Sequence, residues 1–99
     1  MSRSVEFLAE AAAEVECVTG DYEARVAGLG LRFRHEVELA CGEIATRPLL
    51  WRERPGGYRR VNLRGFPYFI AFIIRGDLVL IAAVGHTSRR PGYWMSRLP

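Results

Sequence analysis

The chain has 99 residues, of which 49% are hydrophobic and 25% charged, with a formal net charge of +3. This balance excludes an intrinsically disordered chain, and the length suits one core, so we expect residues 1–99 to form a single domain. No apolar run reaches the roughly 18 residues of a membrane span and no signal-like segment opens the sequence, so we expect a cytoplasmic protein without a membrane partner.

The charges are distributed unevenly along the chain. Residues 1–46 carry nine acidic residues and four arginines, a net charge of −5, whereas residues 47–99 carry two acidic residues and ten arginines, a net charge of +8. A basic half of this kind predicts an anionic partner, either nucleic acid or an acidic protein segment.

The first half of the chain predicts a helical hairpin. Ser4 to Leu8 alternates like a short strand, and Ala9 to Val26 has apolar residues at helical spacing, with Gly20 inside to loosen or bend the helix. A glycine-containing break at 28–30 separates it from a second helix, which Pro48 ends. The apolar stripe of this second helix consists of Phe33, Val37, Ala40, Cys41 and Ile44.

The two cysteines, Cys17 and Cys41, both fall in predicted helices, where cysteine usually serves as a small buried apolar residue. We therefore expect no disulfide. Two cysteines and two histidines without metal-ligand spacing also argue against a zinc site, and the glycines form no phosphate-binding loop. We expect neither a metal nor a cofactor.

The second half predicts three strands in sequence. Tyr58 to Arg64 alternates, with Val61 and Leu63 on one face and polar residues on the other. Phe66 to Ile74 and Leu78 to Val84 are apolar on both faces and are joined by an Arg-Gly-Asp turn at 75–77. The polar face of the first strand holds Arg60, Asn62 and Arg64.

Two helices would cover only one face of this sheet, which leaves the second apolar face to be explained. Either a partner protein covers it, or the C-terminal segment with Tyr93 and Trp94 folds over it. The sequence leaves both explanations open.

Two groups of residues are candidates for chemistry. His86 precedes Ser88, Arg89 and Arg90, a cluster suited to phosphate binding or proton transfer, although a hydrogen-bonded histidine ending a strand is the favoured interpretation. The alternating arginines of the first strand would suit phosphates or acidic side chains, or would form a solvated face. We interpret His35 as a solvated helix residue, and Trp51 and Trp94 as core residues.

The chain carries DYE at 21–23, GLG at 28–30, FPY at 66–68 and H-x-x-R-R-P-x-x-W at 86–94. In combination these motifs resemble the RelE/ParE superfamily of bacterial toxins from type II toxin–antitoxin modules. The resemblance implies an α+β fold, with an N-terminal helical hairpin packed on a small twisted antiparallel sheet. It also implies a cognate antitoxin that forms a hetero-oligomer with the toxin and completes the burial of the apolar strands.

The superfamily contains two activities. ParE-like members poison DNA gyrase, whereas RelE-like members cleave mRNA in the ribosome. The FPY strand opening and the ending at 86–94 look more like the ParE branch, and the chain lacks the lysines on which the RelE branch depends. A third possibility is a degenerate module that only binds its antitoxin, with Gly20 and Cys17 as mild departures that permit it.

These alternatives assign roles to overlapping sets of residues. For a nuclease, the resemblance implies a catalytic set of Arg60, Arg64, His86, Arg89 and Tyr93. For contact with the antitoxin or the target, we expect Arg60, Asn62, Arg64, Tyr68, Arg75, His86, Arg89, Arg90 and Trp94.

Overall fold

A computed structural model of the protein describes residues 2–99. Its main elements in chain order are β1 (Ser4–Phe7), α1 (Ala9–Arg25), α2 (Leu29–Thr46), β2 (Arg59–Asn62), β3 (Tyr68–Arg75) and β4 (Leu78–His86). Single 3₁₀ turns lie at Pro48–Leu50 and Met95–Arg97. The α+β class is confirmed, with both helices packed on a four-stranded sheet. No helix within residues 2–99 is long and apolar enough to cross a membrane.

The two helices pack tightly where α2 begins. Gly30 is buried against α1, and a Cβ atom at this position would collide with the backbone oxygen of Thr19. The Glu23 carboxylate accepts hydrogen bonds from the backbone N–H groups of Gly28 (2.7 Å) and Gly30 (3.0 Å). The Gly28 hydrogen bond is the main reason why the pKa of Glu23 lies below its usual value. Helix α1 continues through Gly20 from Ala9 to Arg25.

The sheet has the strand order β1-β4-β3-β2 and differs in one respect from the expected antiparallel sheet. Strand β1 pairs in parallel with β4, from Ser4 opposite Leu78 to Phe7 opposite Ile81, so the sheet is mixed. Strands β2, β3 and β4 form the predicted antiparallel meander. Gly76, with φ of 60°, occupies the first central position of the two-residue β3–β4 turn, where a left-handed conformation favours glycine.

The helices cover one face of the sheet, which we call the helix face. Its core is continuous between the helical hairpin and the inward side chains of all four strands. The fully or almost fully buried residues of this core include Ala11, Phe33, Val37, Ile44, Ile70, Phe72, Val79, Ile81 and Val84. The apolar stripe expected for α2 is confirmed at Phe33, Val37 and Ile44.

The opposite face is covered by the chain itself, and we call it the tail face. Residues 87–99, the tail, place Trp94 on Phe69, Ala71, Ala82 and Ala83, and only 1% of Trp94 is exposed. The rings of Trp94 and Tyr58 also meet edge to face, with 4.7 Å between their centroids. The expectation that a second protein completes the burial of these strands is therefore wrong, because the tail does so.

The expectation of small apolar cysteines in the core holds in part for Cys41, which packs against the helix-face core, but not for Cys17. Cys17 is exposed and Cys41 half-buried, and both thiols are free. Burial, with a smaller contribution from the nearby Glu38 carboxylate, raises the pKa of Cys41 to about 11. Cys41 is therefore a poor nucleophile near neutral pH.

Candidate functional site

The tail face has a row of cations stacked on aromatic rings. The guanidinium carbon of Arg60 lies 4.1 Å from the ring centroid of Phe69, and that of Arg89 lies 3.8 Å from the ring centroid of Tyr93. The two rings meet edge to face at 6.5 Å, so strand β2 and the tail contribute to one row. Arg60 Nε also donates to Asn62 Oδ1 at 3.3 Å, which agrees with the predicted alternation along β2.

His86 and Tyr68 lie on the helix face, away from this row. Their rings contact edge to face at 5.1 Å, beside an aromatic cluster that includes Phe33 and Phe66. The backbone N–H of Ser88 donates to His86 Nδ1 at 3.0 Å, so a neutral His86 carries its proton on Nε2. This arrangement matches the interpretation of His86 as a hydrogen-bonded residue that ends a strand.

Four other predicted site residues are dispersed. Arg64 lies beyond the end of β2 and lines a cleft beside α2, so it does not share the face of Arg60. Arg75 is exposed at the β3–β4 turn, at the other end of β3 from Tyr68. Arg90 is exposed in the tail, next to Arg89. Trp94, also expected to make contacts with a partner, has its side chain buried in the tail-face core.

The sequence did not single out Glu14, which is the most highly connected polar side chain of this region. Its carboxylate accepts hydrogen bonds from the Tyr93 hydroxyl (2.6 Å) and the Val84 backbone N–H (3.0 Å). Arg97 adds a bidentate pair at 2.8 Å and 3.0 Å. The side chains of Glu14 and Arg97 are only 19% and 18% exposed, respectively. We call this group the Glu14 cluster.

The Glu14 cluster shifts the titration of its members. Burial opposes ionisation of Glu14, but hydrogen bonds from Arg97, Tyr93 and Val84 together outweigh it and hold the pKa below its usual value. Burial and the hydrogen bond to the Glu14 carboxylate raise the pKa of Tyr93 to about 12. Tyr93 therefore keeps its proton at neutral pH and is a poor general base.

The stability of the folded chain is expected to fall in acid because of this cluster. A carboxyl group whose folded pKa is lowered stabilises the fold fully above its unfolded value, near 4.5, and loses that contribution as pH falls through the folded pKa. Thermal unfolding measured from pH 7 down to pH 2 should show a smaller acid loss in Glu14→Gln than in the wild type. The acid loss that remains in Glu14→Gln comes partly from Glu23, whose pKa is also lowered. Equal losses of stability in the two proteins would contradict a role for Glu14.

A groove runs between α2 and the open edge of the sheet at β2. It consists of two adjoining depressions of about 470 and 510 Å³, which share Glu36 and Arg64 in their walls. Three leucines along it are largely exposed: Leu31 (65%), Leu39 (54%) and Leu50 (57%). We call this feature the α2/β2 groove. Asn62 and Arg64, both predicted contact residues, line it.

Within residues 2–99, no group of three or more His, Cys, Asp or Glu side chains is arranged to hold a metal ion. The polar groups of the Glu14 cluster are paired with each other, whereas Arg60 and Arg89 of the tail face are stacked on aromatic rings and have no carboxylate partner within residues 2–99. The arrangement is suited to binding an anionic or carboxylate-bearing surface through arginines.

Comparison with known proteins gives the chain a family. Residues 5–91 match the family described as "ParE toxin of type II toxin-antitoxin system, parDE". The chain belongs to the ParE toxin family. It is therefore the toxin component of a type II toxin–antitoxin module, and the expected ParE-like branch is confirmed.

A solved structure supports the fold of this ParE-family toxin. The chain is similar to a structure titled "Chromosomal ParDE TA system from P. aeruginosa", with a TM-score of 0.73 and 18% sequence identity. The similarity covers 86% of this chain and 96% of the other. No curated protein sequence matches the chain significantly.

Proposed function

We propose that this ParE-family toxin arrests growth by poisoning DNA gyrase, that it binds gyrase through the arginines of the tail face, and that a cognate antitoxin neutralises it. The observation that carries the proposal is the separation of the groups that a nuclease would need. Arg60, Arg89 and Tyr93 lie on the tail face, whereas His86 is on the helix face and Arg64 lines the α2/β2 groove.

This separation argues against the alternative of a ribosome-dependent mRNA endonuclease. General acid–base cleavage needs a donor and an acceptor within hydrogen-bond reach of the same phosphate. The Tyr93 hydroxyl is engaged by Glu14, and His86 Nδ1 is engaged by Ser88. The tail-face arginines remain able to bind, and the carboxylate hydrogen-bonded to Tyr93, that of Glu14, is already paired with Arg97.

The proposal is tested with purified toxin in two parallel assays. Inhibition of gyrase supercoiling together with trapped, cleaved DNA is the expected result, and it should disappear when the antitoxin is added. Cleavage of ribosome-bound mRNA without any effect on gyrase would refute the proposal in favour of the nuclease. Inactivity in both assays, with antitoxin binding intact, would leave a degenerate binding module.

Removal of the tail-face cations should weaken gyrase inhibition. Arg60→Ala and Arg89→Ala are each expected to raise the half-inhibitory concentration about tenfold, the size typical of a lost charge-assisted contact. Arg75→Ala is the matched control, since Arg75 is an equally cationic but distant residue. An equal loss in all three variants would indicate a general charge effect rather than a binding face.

We place the antitoxin on the α2/β2 groove. Strand β2 is at the edge of the sheet, so one side of its backbone has no strand partner within residues 2–99, and exposed leucines border it on the helix side. An extended segment can add to such an edge while its apolar side chains fill the groove. The antitoxin is the partner that a type II toxin must bind, so it is the occupant we assign.

The groove assignment predicts that Leu39→Glu weakens antitoxin binding by about tenfold or more, because it places a charge in an apolar contact. Val26→Glu is the matched control, because Val26 is 58% exposed but does not line the groove. Titration calorimetry with the purified antitoxin provides the measurement. Equal affinities for Leu39→Glu and the wild type would place the antitoxin elsewhere.

A further inference from the structure

Glu14 lies beside the point on β4 where the pairing with β1 ends and the register with β3 shifts. Strand β1 ends opposite Ile81, and the register between β3 and β4 shifts immediately afterwards, between the pairs Ala71–Ala83 and Phe72–Ile81. Beyond this point, in the part of the chain that the structure describes, the edge of β4 has no strand partner on its β1 side. The Glu14 carboxylate accepts from the Val84 N–H here, and Arg97 Nη1 donates to the Ala82 carbonyl at 3.2 Å.

The same carboxylate holds the tail. Its bonds to Tyr93 and Arg97 join residues 79 and 83 positions away in the chain. Tyr93 packs directly over Gly85, where a Cβ atom would collide with the tyrosine hydroxyl. The ring of Tyr93 is therefore fixed from two sides, by the surface of β4 and by Glu14.

The fixed ring in turn carries Arg89. The Arg89 guanidinium lies 3.8 Å from the Tyr93 ring centroid, and the Arg97 guanidinium lies 5.3 Å from it. Arg89 has no carboxylate among its hydrogen-bond or ion-pair partners within residues 2–99, so the ring is the contact that orients it. If the ring were free to turn, Arg89 would be an ordinary mobile side chain in solvent. Ordering it on binding would then cost conformational entropy.

We propose that Glu14 is a positioning residue for target binding: by holding the Tyr93 hydroxyl, it fixes the ring that presents Arg89 beside Arg60. This role rests on the proposed function of the tail face. Glu14 itself does not contact the target, and its effect passes through Tyr93 and Arg89.

The arrangement is first tested without any target. Ring currents of Tyr93 should shield the side-chain methylene protons of Arg89 in the NMR spectrum of the wild-type toxin. We expect this shielding to be lost in Glu14→Gln and in Tyr93→Phe, which removes only the hydroxyl. Glu10→Gln is the matched control, because Glu10 is an exposed glutamate one turn earlier on α1. Unchanged shielding in both Glu14→Gln and Tyr93→Phe would overturn the inference.

Gyrase inhibition then tests whether the effect passes through Arg89. Glu14→Gln should raise the half-inhibitory concentration about tenfold when Arg89 is present, and by less than about twofold in an Arg89→Ala background. A merely structural role would give the same loss in both backgrounds, and that result would overturn the inference. Antitoxin affinity should stay unchanged, since the α2/β2 groove contains no member of the Glu14 cluster.

The two hypotheses fail separately. If the wild-type toxin does not inhibit gyrase, the proposed function is wrong. The wild type, Glu14→Gln, Arg89→Ala and the double variant are then compared for growth arrest on induced expression. Dependence of growth arrest on Glu14 only in the presence of Arg89 would support the positioning role for another target. Equal loss in both backgrounds would refute it.

Discussion

Replacement of Trp94 by alanine is expected to lower the free energy of unfolding by about 4 kcal/mol, within the range for deletion of a buried tryptophan. The side chain is 1% exposed and covers Phe69, Ala71 and Ala83 on the tail face. Its loss leaves a cavity and exposes apolar strand surface to water. Urea unfolding followed by circular dichroism measures the change, and binding of a hydrophobic dye reports the exposed face.

Trp51 provides the matched control for this substitution. It is only partly buried and meets Phe72 edge to face at 6.1 Å. Trp51→Ala should therefore cost less than Trp94→Ala, and Trp94→Phe should recover part of the loss. A loss below about 0.5 kcal/mol for Trp94→Ala would contradict the packed tail, since surface substitutions usually change the free energy of unfolding by no more than that.

The second large effect concerns the contact between the helices. Gly30→Ala is expected to lower the free energy of unfolding by about 1–3 kcal/mol, because its Cβ would meet the backbone oxygen of Thr19, and backbone cannot give way cheaply. The same methyl group would lie 3.0 Å from the Glu23 side chain. Differential scanning calorimetry of the purified variant measures the change.

Two other helical glycines supply controls of opposite sign. Gly20 and Gly42 have nothing within 4 Å of a Cβ atom, so alanine there removes only the intrinsic penalty of glycine in a helix. Each substitution is expected to raise the free energy of unfolding by about 0.5–1 kcal/mol. A stabilising effect at Gly30, or a large loss at Gly20, would show that the helices pack differently.

The helices and the meander were predictable because periodic patterns determine them. Phe33, Val37 and Ile44 recur at helical spacing, and all three are buried as expected. The parallel pairing of β1 was not predictable, because the alternation of four residues gives neither a partner nor a direction. The covering of the tail face was left open because residues 87–99 have no periodicity, and one tryptophan does not reveal its own contacts.

The candidate site was predicted only in part, because strand alternation and helical spacing locate some of its residues but not others. Alternation placed Arg60 and Asn62 on one face, but it could not show that β2 ends at Asn62, so Arg64 was assigned to the wrong surface. Glu14 was missed because it is one of several glutamates along α1, and helical spacing does not distinguish among them. Only the meeting of α1, the edge of β4 and the tail gives this residue its role.

The link between the two ends of the chain also has a consequence for biosynthesis. Strand β1 pairs with β4, and Glu14 bonds to Arg97, 83 positions later. A growing chain therefore exposes two helices whose apolar stripes have no sheet to cover them until residues 68–86 have left the ribosome. Contacts of such long sequence separation form late, so the arginine row does not exist until residues 89–97 have also emerged. The proposed binding face therefore assembles only after both helices, the sheet and residues 87–97 have been synthesised.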